Sequence, residues 1–428
     1  MTDIVEKILG KMPGIFRPQF KFMLILFATI LCLGGRMNFR NMSRHSDLSE
    51  KTFSRNFRKD FDFVLFNSMV VEEAITDPVE KIAAMDCTFV PKSGDKTYGL
   101  DYFWNGCADR SEKGLELSVV SVNDVSGKTA YTVSAMQTPP SEPMVEGPRQ
   151  MPYVCRRNRM IFKGSSVIMR HREKTRIDFY AFQIRMLRNS LPADVTYVAV
   201  DGYYAKEKFV AAVVETGLHI VGKLRSDASL RYLYKGPRRE GRGRPKLYDG
   251  KVDLRDVTGR MELVAEPEKG VLLYTDVVNA PFLKRNIRVA YLLDTRKEKG
   301  PRHTVFYSTD TEIAATDILR FYGSRFQIEF IFRDAKQHTG LCDCQATDGN
   351  ALNFHFNSSL SALNLARAED RRQTPDGEPA VFSMSSVKTR YHNEFLIDRI
   401  ISISGVPPEM IKNHPDYEEI RNSSFAPP

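Results

Sequence analysis

A chain of 428 residues with 62 Lys and Arg against 53 Asp and Glu is too long for one ordinary core, and its formal charge of +9 suits a polyanionic partner. Its six cysteines, Cys32, Cys87, Cys107, Cys155, Cys342 and Cys344, are scattered without the spacing of a disulfide framework. That pattern excludes the small secreted class and fits a reducing cytoplasm. The longest apolar run, Phe22 to Leu33, is too short to span a bilayer and is followed by no clear cleavage site, so the expectation is a buried core helix and no membrane association.

The first 75 or so residues read as helical and basic. Asp47 followed by Glu50 predicts a capping box opening a helix over Leu48 to Phe61, with Phe53, Phe57 and Phe61 on one face. Lys51, Arg55, Arg58 and Lys59 fall on the other face, as they would on the DNA-contacting helix of a helix-turn-helix unit or on a plain solvated helix. From Val79 the texture changes. Lys81 to Phe89, Leu115 to Val122 and Ala130 to Met136 predict three antiparallel strands, followed by a basic stretch and a helix around Phe179 to Leu187. A short strand, Val195 to Val200, ends on Asp201, and a helix follows over Ala205 to Thr216. This order is an α/β layout. Between Gly222 and Asp310 the chain turns β-rich, with strands at Val271 to Val278, Ile287 to Leu293 and His303 to Ser308. Long helices are then expected over Glu312 to Gln337 and Asn350 to Arg367, with one more near Ser385 to Ser404.

Three acids stand out by position. Asp86 sits late in one apolar strand and Asp201 directly follows another, where a carboxylate is held rigidly yet faces an open edge. In the helix Phe321 to Gln337, Tyr322, Arg325, Glu329 and Lys336 are spaced by three, four and seven residues. At about 100° per residue they form one stripe. Each acid taken singly also has an ordinary reading: Glu329 as an ion-pair partner of Arg325 or Arg333, Asp201 and Asp86 as turn or cap residues.

The spacing Tyr322, Arg325, Glu329, Lys336 resembles the Y-R-E-K signature of the DDE transposases named after insertion sequence four. The runs Asp86 to Gly94, Gly340 to Ala346 and Phe354 to Ser358 are similar to that group as well. The resemblance implies an RNase H-like mixed sheet with flanking helices, interrupted by a β-rich insertion and preceded by a helical N-terminal DNA-binding region. It divides the chain into a DNA-binding region at 1–78, the catalytic domain at 79–224 and 311–370, the insertion at 225–310, and a helical tail at 371–428. Asp86, Asp201 and Glu329 would be the catalytic metal ligands for two Mg²⁺ ions, with Mn²⁺ as a substitute. Phosphodiester cleavage needs an activated water and a neutralised leaving oxygen, which two ions about 4 Å apart supply. Tyr322, Arg325 and Lys336 would contact DNA. The implied partners are double-stranded DNA, at element ends with terminal inverted repeats and at the target, and a second copy of the chain. The alternatives are an RNase H-like endonuclease that does not join strands and a domesticated DNA-binding protein.

Within the insertion, Arg242, Arg244 and Lys246 lie in a Gly-Arg-Gly-Arg-Pro-Lys string narrow enough for the minor groove, and Arg55 and Arg58 complete the expected DNA contacts. The resemblance also implies an aromatic in the insertion that stacks on a flipped base. The only tryptophan, Trp104, precedes Asp201 and so cannot be that residue, which leaves Tyr232, Tyr234 or Tyr248. Cys342 and Cys344 are too closely spaced for a usual zinc site and read as partly buried thiols.

Overall fold

The structure, a computed structural model, describes residues 2–75, 79–140, 175–237, 245–296, 300–373 and 382–423. Five helices open it: α1 (Thr2–Lys11), α2 (Arg17–Cys32), α3 (Phe39–Arg44), α4 (Glu50–Asn56) and α5 (Phe63–Ala74). The apolar run forms α2, whose Met23, Leu26, Phe27 and Leu31 are fully buried. Among the described residues no helix is long and apolar enough to cross a membrane. Helix α4 is shorter than its sequence suggests. Its cap is Ser49, whose hydroxyl accepts the Thr52 amide, not Asp47, and the helix stops at Asn56. Phe57 then packs its ring between Phe39 and Phe354, so Arg58 and Lys59 lie beyond the helix end.

Strands β1 (Lys81–Pro91), β2 (Asp101–Asn105), β3 (Arg110–Asp124) and β4 (Thr129–Gln137) follow. Next come α6 (Arg176–Leu187), β5 (Tyr197–Val200), α7 (Glu207–Val214) and β6 (His219–Leu224). β1 runs antiparallel to β3, and β3 antiparallel to β4, while β5 lies parallel to β1 and β6 parallel to β5. The antiparallel start continued by two parallel strands is consistent with an RNase H-like sheet. β2, absent from the sequence expectation, is held by β3 alone.

The β-rich block comprises β7 (Arg231–Leu233), β8 (Tyr248–Lys251), β9 (Glu262–Glu268), β10 (Val271–Ala280), β11 (Arg285–Asp294) and β12 (Arg302–Ser308). It extends the same sheet, because β12 pairs with β6, giving 12 strands among the described residues. Ile82, Ala199, Val221 and Ala290 on one face of this sheet are buried under Ile318 and Phe321.

Those two residues belong to α8 (Ala315–Arg325), which is followed by α9 (Gln327–His338), α10 (Gly349–Gln373), α11 (Met384–Ser404), α12 (Pro408–Lys412) and α13 (Tyr417–Asn422). The single helix expected over Glu312 to Gln337 is therefore two, divided at Phe326. That residue keeps helical dihedrals, but its amide bonds back to Gly323 in a tighter three-residue turn. The break is mild enough that an i to i+4 side-chain contact still spans it.

Candidate active site

The register of β1 on β5 brings two of the acids together. Ala84 lies opposite Ala199, and two residues further along come Asp86, within β1, and Asp201, just past the end of β5, near enough for their charges to act on each other. Neighbouring strands are about 4.8 Å apart, and both side chains take the face that carries Ala84 and Ala199. That is the face covered by α8. Each carboxylate also orders its own backbone: Asp86 Oδ1 accepts the Cys87 amide at 2.8 Å, and Asp201 Oδ1 accepts the Tyr203 amide at 2.8 Å. Asp201 thus does start a turn, as its ordinary reading requires, and its second oxygen is left to other partners.

Arg325, the last residue of α8, closes the site from above. Its Nη1 donates to Asp86 Oδ2 at 2.5 Å and its Nη2 to Glu329 Oε1 at 2.9 Å. One guanidinium therefore joins a strand acid to a helix acid. It is only 11 % exposed, its Nε is buried with no hydrogen-bond partner, and its charge sits 5.5 Å from the centre of the Tyr322 ring. Tyr322 in turn packs on Phe306 of β12, and Asn123 donates to the carbonyl of Ser324 at 2.7 Å, pinning the end of α8. Burial pushes the Asp86 carboxyl up to about 6. Arg325 pulls it back, and the nearby charges of Asp201 and Glu329 push it further.

Lys336 lies two turns beyond Glu329 on α9, half-buried, about 10 Å along the axis on the same side. Sequence reasoning missed what holds that helix in place. Asp334, on the inner side of α9, is buried and bonded to Arg367 of α10 at 3.0 Å, and Arg367 donates to the Ala130 carbonyl of β4 at 2.6 Å. An aspartate five residues after Glu329 and an arginine in the run Leu363 to Ala368 were the available signals.

The remaining expected contacts are dispersed. Arg55 is exposed on α4, and Arg58 lies 3.6 Å from Asp348. Lys246 pairs with Asp249 and lies over the Tyr234 ring, while Arg242 and Arg244 lie outside the described residues. Tyr232 is buried beneath Arg260, and Tyr248 lies against Arg231.

Among the described residues no three His, Cys, Asp or Glu side chains are gathered tightly enough to hold a metal ion as they stand. Asp86 and Glu329 each reach for Arg325 instead. The donors nevertheless fit a hard divalent ion: they are carboxylate oxygens, those of Asp86 and Asp201 near enough for their charges to interact. Cys344 and His355 do not add a second metal group, since the buried imidazole bonds to the Gly340 carbonyl at 2.8 Å.

A family model described as DDE superfamily endonuclease matches residues 15–269, more than half the chain. The chain belongs to that family. A second model, described as Transposase DDE domain, matches residues 181–365. The two overlap around Asp201 and together span Asp86, Asp201 and Glu329. No curated protein matches the chain. DDE enzymes of the transposase kind act on DNA as endonucleases in transposition and generally depend on divalent metal ions.

Proposed function

We propose that this DDE enzyme is a transposase of the insertion-sequence-four type, which cuts and joins DNA at the ends of its own element, with Asp86, Asp201 and Glu329 as its catalytic carboxylates. The observation that carries the reading is the convergence of strand-borne Asp86 and Asp201 on one face with the Arg325–Glu329 pair covering it. Bound Mg²⁺ would supply an activated water and neutralise the charge on the leaving oxygen.

The protein's own groups have separable tasks. Asp86 and Asp201, fixed by β1, β5 and their own backbone hydrogen bonds, offer preset oxygens. Glu329 is 41 % exposed, so it can change rotamer on the surface of α9. Arg325 is a planar fork held beside the carboxylates, which suits an oxygen of the phosphate beside the scissile bond once the acids turn to a metal ion. Lys336, two turns further along, would hold the next part of the same strand, and Tyr322 would set the direction of the Arg325 fork. The N-terminal helices and the string around Arg242 and Arg244 supply the sequence-independent grip on duplex DNA. A second copy would hold the other element end, since one reaction must act on two related sites.

The test uses a fragment carrying the element ends. Asp86→Asn, Asp201→Asn and Glu329→Gln should each abolish Mg²⁺-dependent nicking and strand joining while binding to the fragment persists. Lys336→Ala should bind and fold normally but cut more slowly. Nicking at full rate by any of the three acid variants would remove that acid from the site, and nicking without joining by the unaltered enzyme would make it a plain endonuclease.

A further inference from the structure

The first third of β3 runs past the end of β1. Gly114 is paired both with Pro91 of β1 and with Asp101 of β2, so these strands flank β3 on opposite edges, and past Gly114 only β2 accompanies it. Tyr102 lies opposite Lys113 and Trp104 opposite Ser111. Directly opposed residues share a face, so these four side chains form one surface of a two-stranded ribbon. That surface is open: Tyr102 is 64 % and Trp104 56 % exposed, whereas Phe103 between them is buried beneath Arg176 on the other face. Beside it lies a cavity of about 650 Å³ lined in part by Tyr102, Lys113 and Arg110.

Two large aromatic rings at alternate positions, left in water, have no folding role. Their neighbours decide what they fit. Ser111 and Lys113 share their face, so the patch lacks the contiguous apolar area of a protein-docking surface. A cation on the same face is available. Among the described residues Lys113 pairs with Asp95 on the exposed surface, where such a pair yields readily to another anion. The surface is also connected to the candidate active site. Val119, six positions along β3 from Lys113 and hence on the same face, is paired with Asp86, which puts Lys113 about 20 Å from the acid.

We propose that the β2–β3 ribbon is a stacking platform for unpaired DNA, with Trp104 and Tyr102 receiving base faces and Lys113 a flanking phosphate. Aromatic rings beside cations are the general means of holding a single strand, because every base offers a π face. The proposal rests on the reading that the enzyme acts on DNA; it adds a site outside the carboxylate cluster and selects strands that are unpaired about 20 Å from it.

The chain's single tryptophan makes the test direct. Titrating the full-length protein with a (dT)₁₂ oligonucleotide should quench the Trp104 emission, and raising salt should reverse it. Tyr102→Ala with Trp104→Ala should weaken (dT)₁₂ binding, followed by anisotropy of a labelled strand, by roughly five- to hundredfold, while Trp104→Phe keeps most of it. Affinity for a blunt duplex should change less than twofold in both variants. Binding of (dT)₁₂ without change in Trp104 emission would overturn the platform and leave the DNA enzyme intact. Equal losses on duplex and single strand would show a general DNA contact, or lost folding, and would also overturn it. Failure of the unaltered protein to bind any DNA would instead sink the reading on which the proposal rests.

Discussion

Asp86 is a carboxylate placed where charge is expensive, and this has a measurable effect on folding. Burial raises its carboxyl to about 6, against an ordinary value near 3.8. Below about pH 4 both folded and unfolded chains hold the proton, and the site costs nothing. Between about pH 4 and 6 the unfolded chain releases a proton that the fold retains, so stability falls as pH rises and stays lowered above pH 6. Asp86→Asn removes that term. In chelator-containing buffer its melting temperature should match the unaltered protein near pH 3 and exceed it at pH 7.5, by an amount equivalent to on the order of 3 kcal/mol. A gap that does not change with pH would mean that Asp86 ionises in the fold as it does in water. The position of Asp201 was readable in the sequence because an apolar run announces β5 and the acid directly follows it, whereas Asp86, expected near a strand end, stands in the middle of β1. The double reach of Arg325 was not. Spacing shows that it can meet Glu329, but its bond to Asp86 joins residues 239 positions apart in the chain.

At the scale of elements, helices and strands with clear periodicity were legible, and the misses have physical causes. The ends of α4 were misjudged because Ser49, not Asp47, offers its oxygen to an orphan amide, and because the packing of Phe57 outweighs helical spacing. The break at Phe326 leaves no gap in the sequence pattern, since apolar residues continue on both sides of it. β2 was invisible because two of its five residues are aromatics facing water, contrary to the alternation expected of a half-buried strand. Helix α9 depends on a tie that no periodicity reveals. Asp334 and Arg367 are both buried, and removing Arg367 leaves one buried oxygen of Asp334 without its partner, the exposed Arg333 holding only the other. Arg367→Met should therefore cost about 3–5 kcal/mol in denaturant unfolding, and Asp334→Leu combined with Arg367→Met should recover much of it. A cost within the range of a surface substitution would show that α9 is held by its apolar face alone.

On the scale of the whole molecule, one sheet carries both the candidate active site and the β-rich block, since β12 adds directly to β6. The sequence announced the block as a change of rhythm, but strand pairing between β6 and β12, with the whole block between them, cannot be read from local pattern. The net charge of +9 has to be apportioned between cutting and binding. The carboxylates of the candidate active site should govern cutting, and dispersed arginines should govern binding. Salt dependence separates the two, because each phosphate neutralised releases condensed counterions and steepens the fall of log K with log salt by about 0.9 on duplex DNA. If Arg242 and Arg244 each meet a phosphate, replacing both by alanine should flatten the slope by about 2 and weaken binding most at low salt. Arg55→Ala with Arg58→Ala should flatten it similarly if the N-terminal helices share the load. Glu329→Gln, which subtracts a negative charge at the candidate active site, should leave the slope unchanged or slightly steeper. Measuring log K on one duplex from 50 to about 300 mM salt for all three variants distinguishes these cases. An unchanged slope in the Arg242 and Arg244 variant would take that string out of the DNA interface.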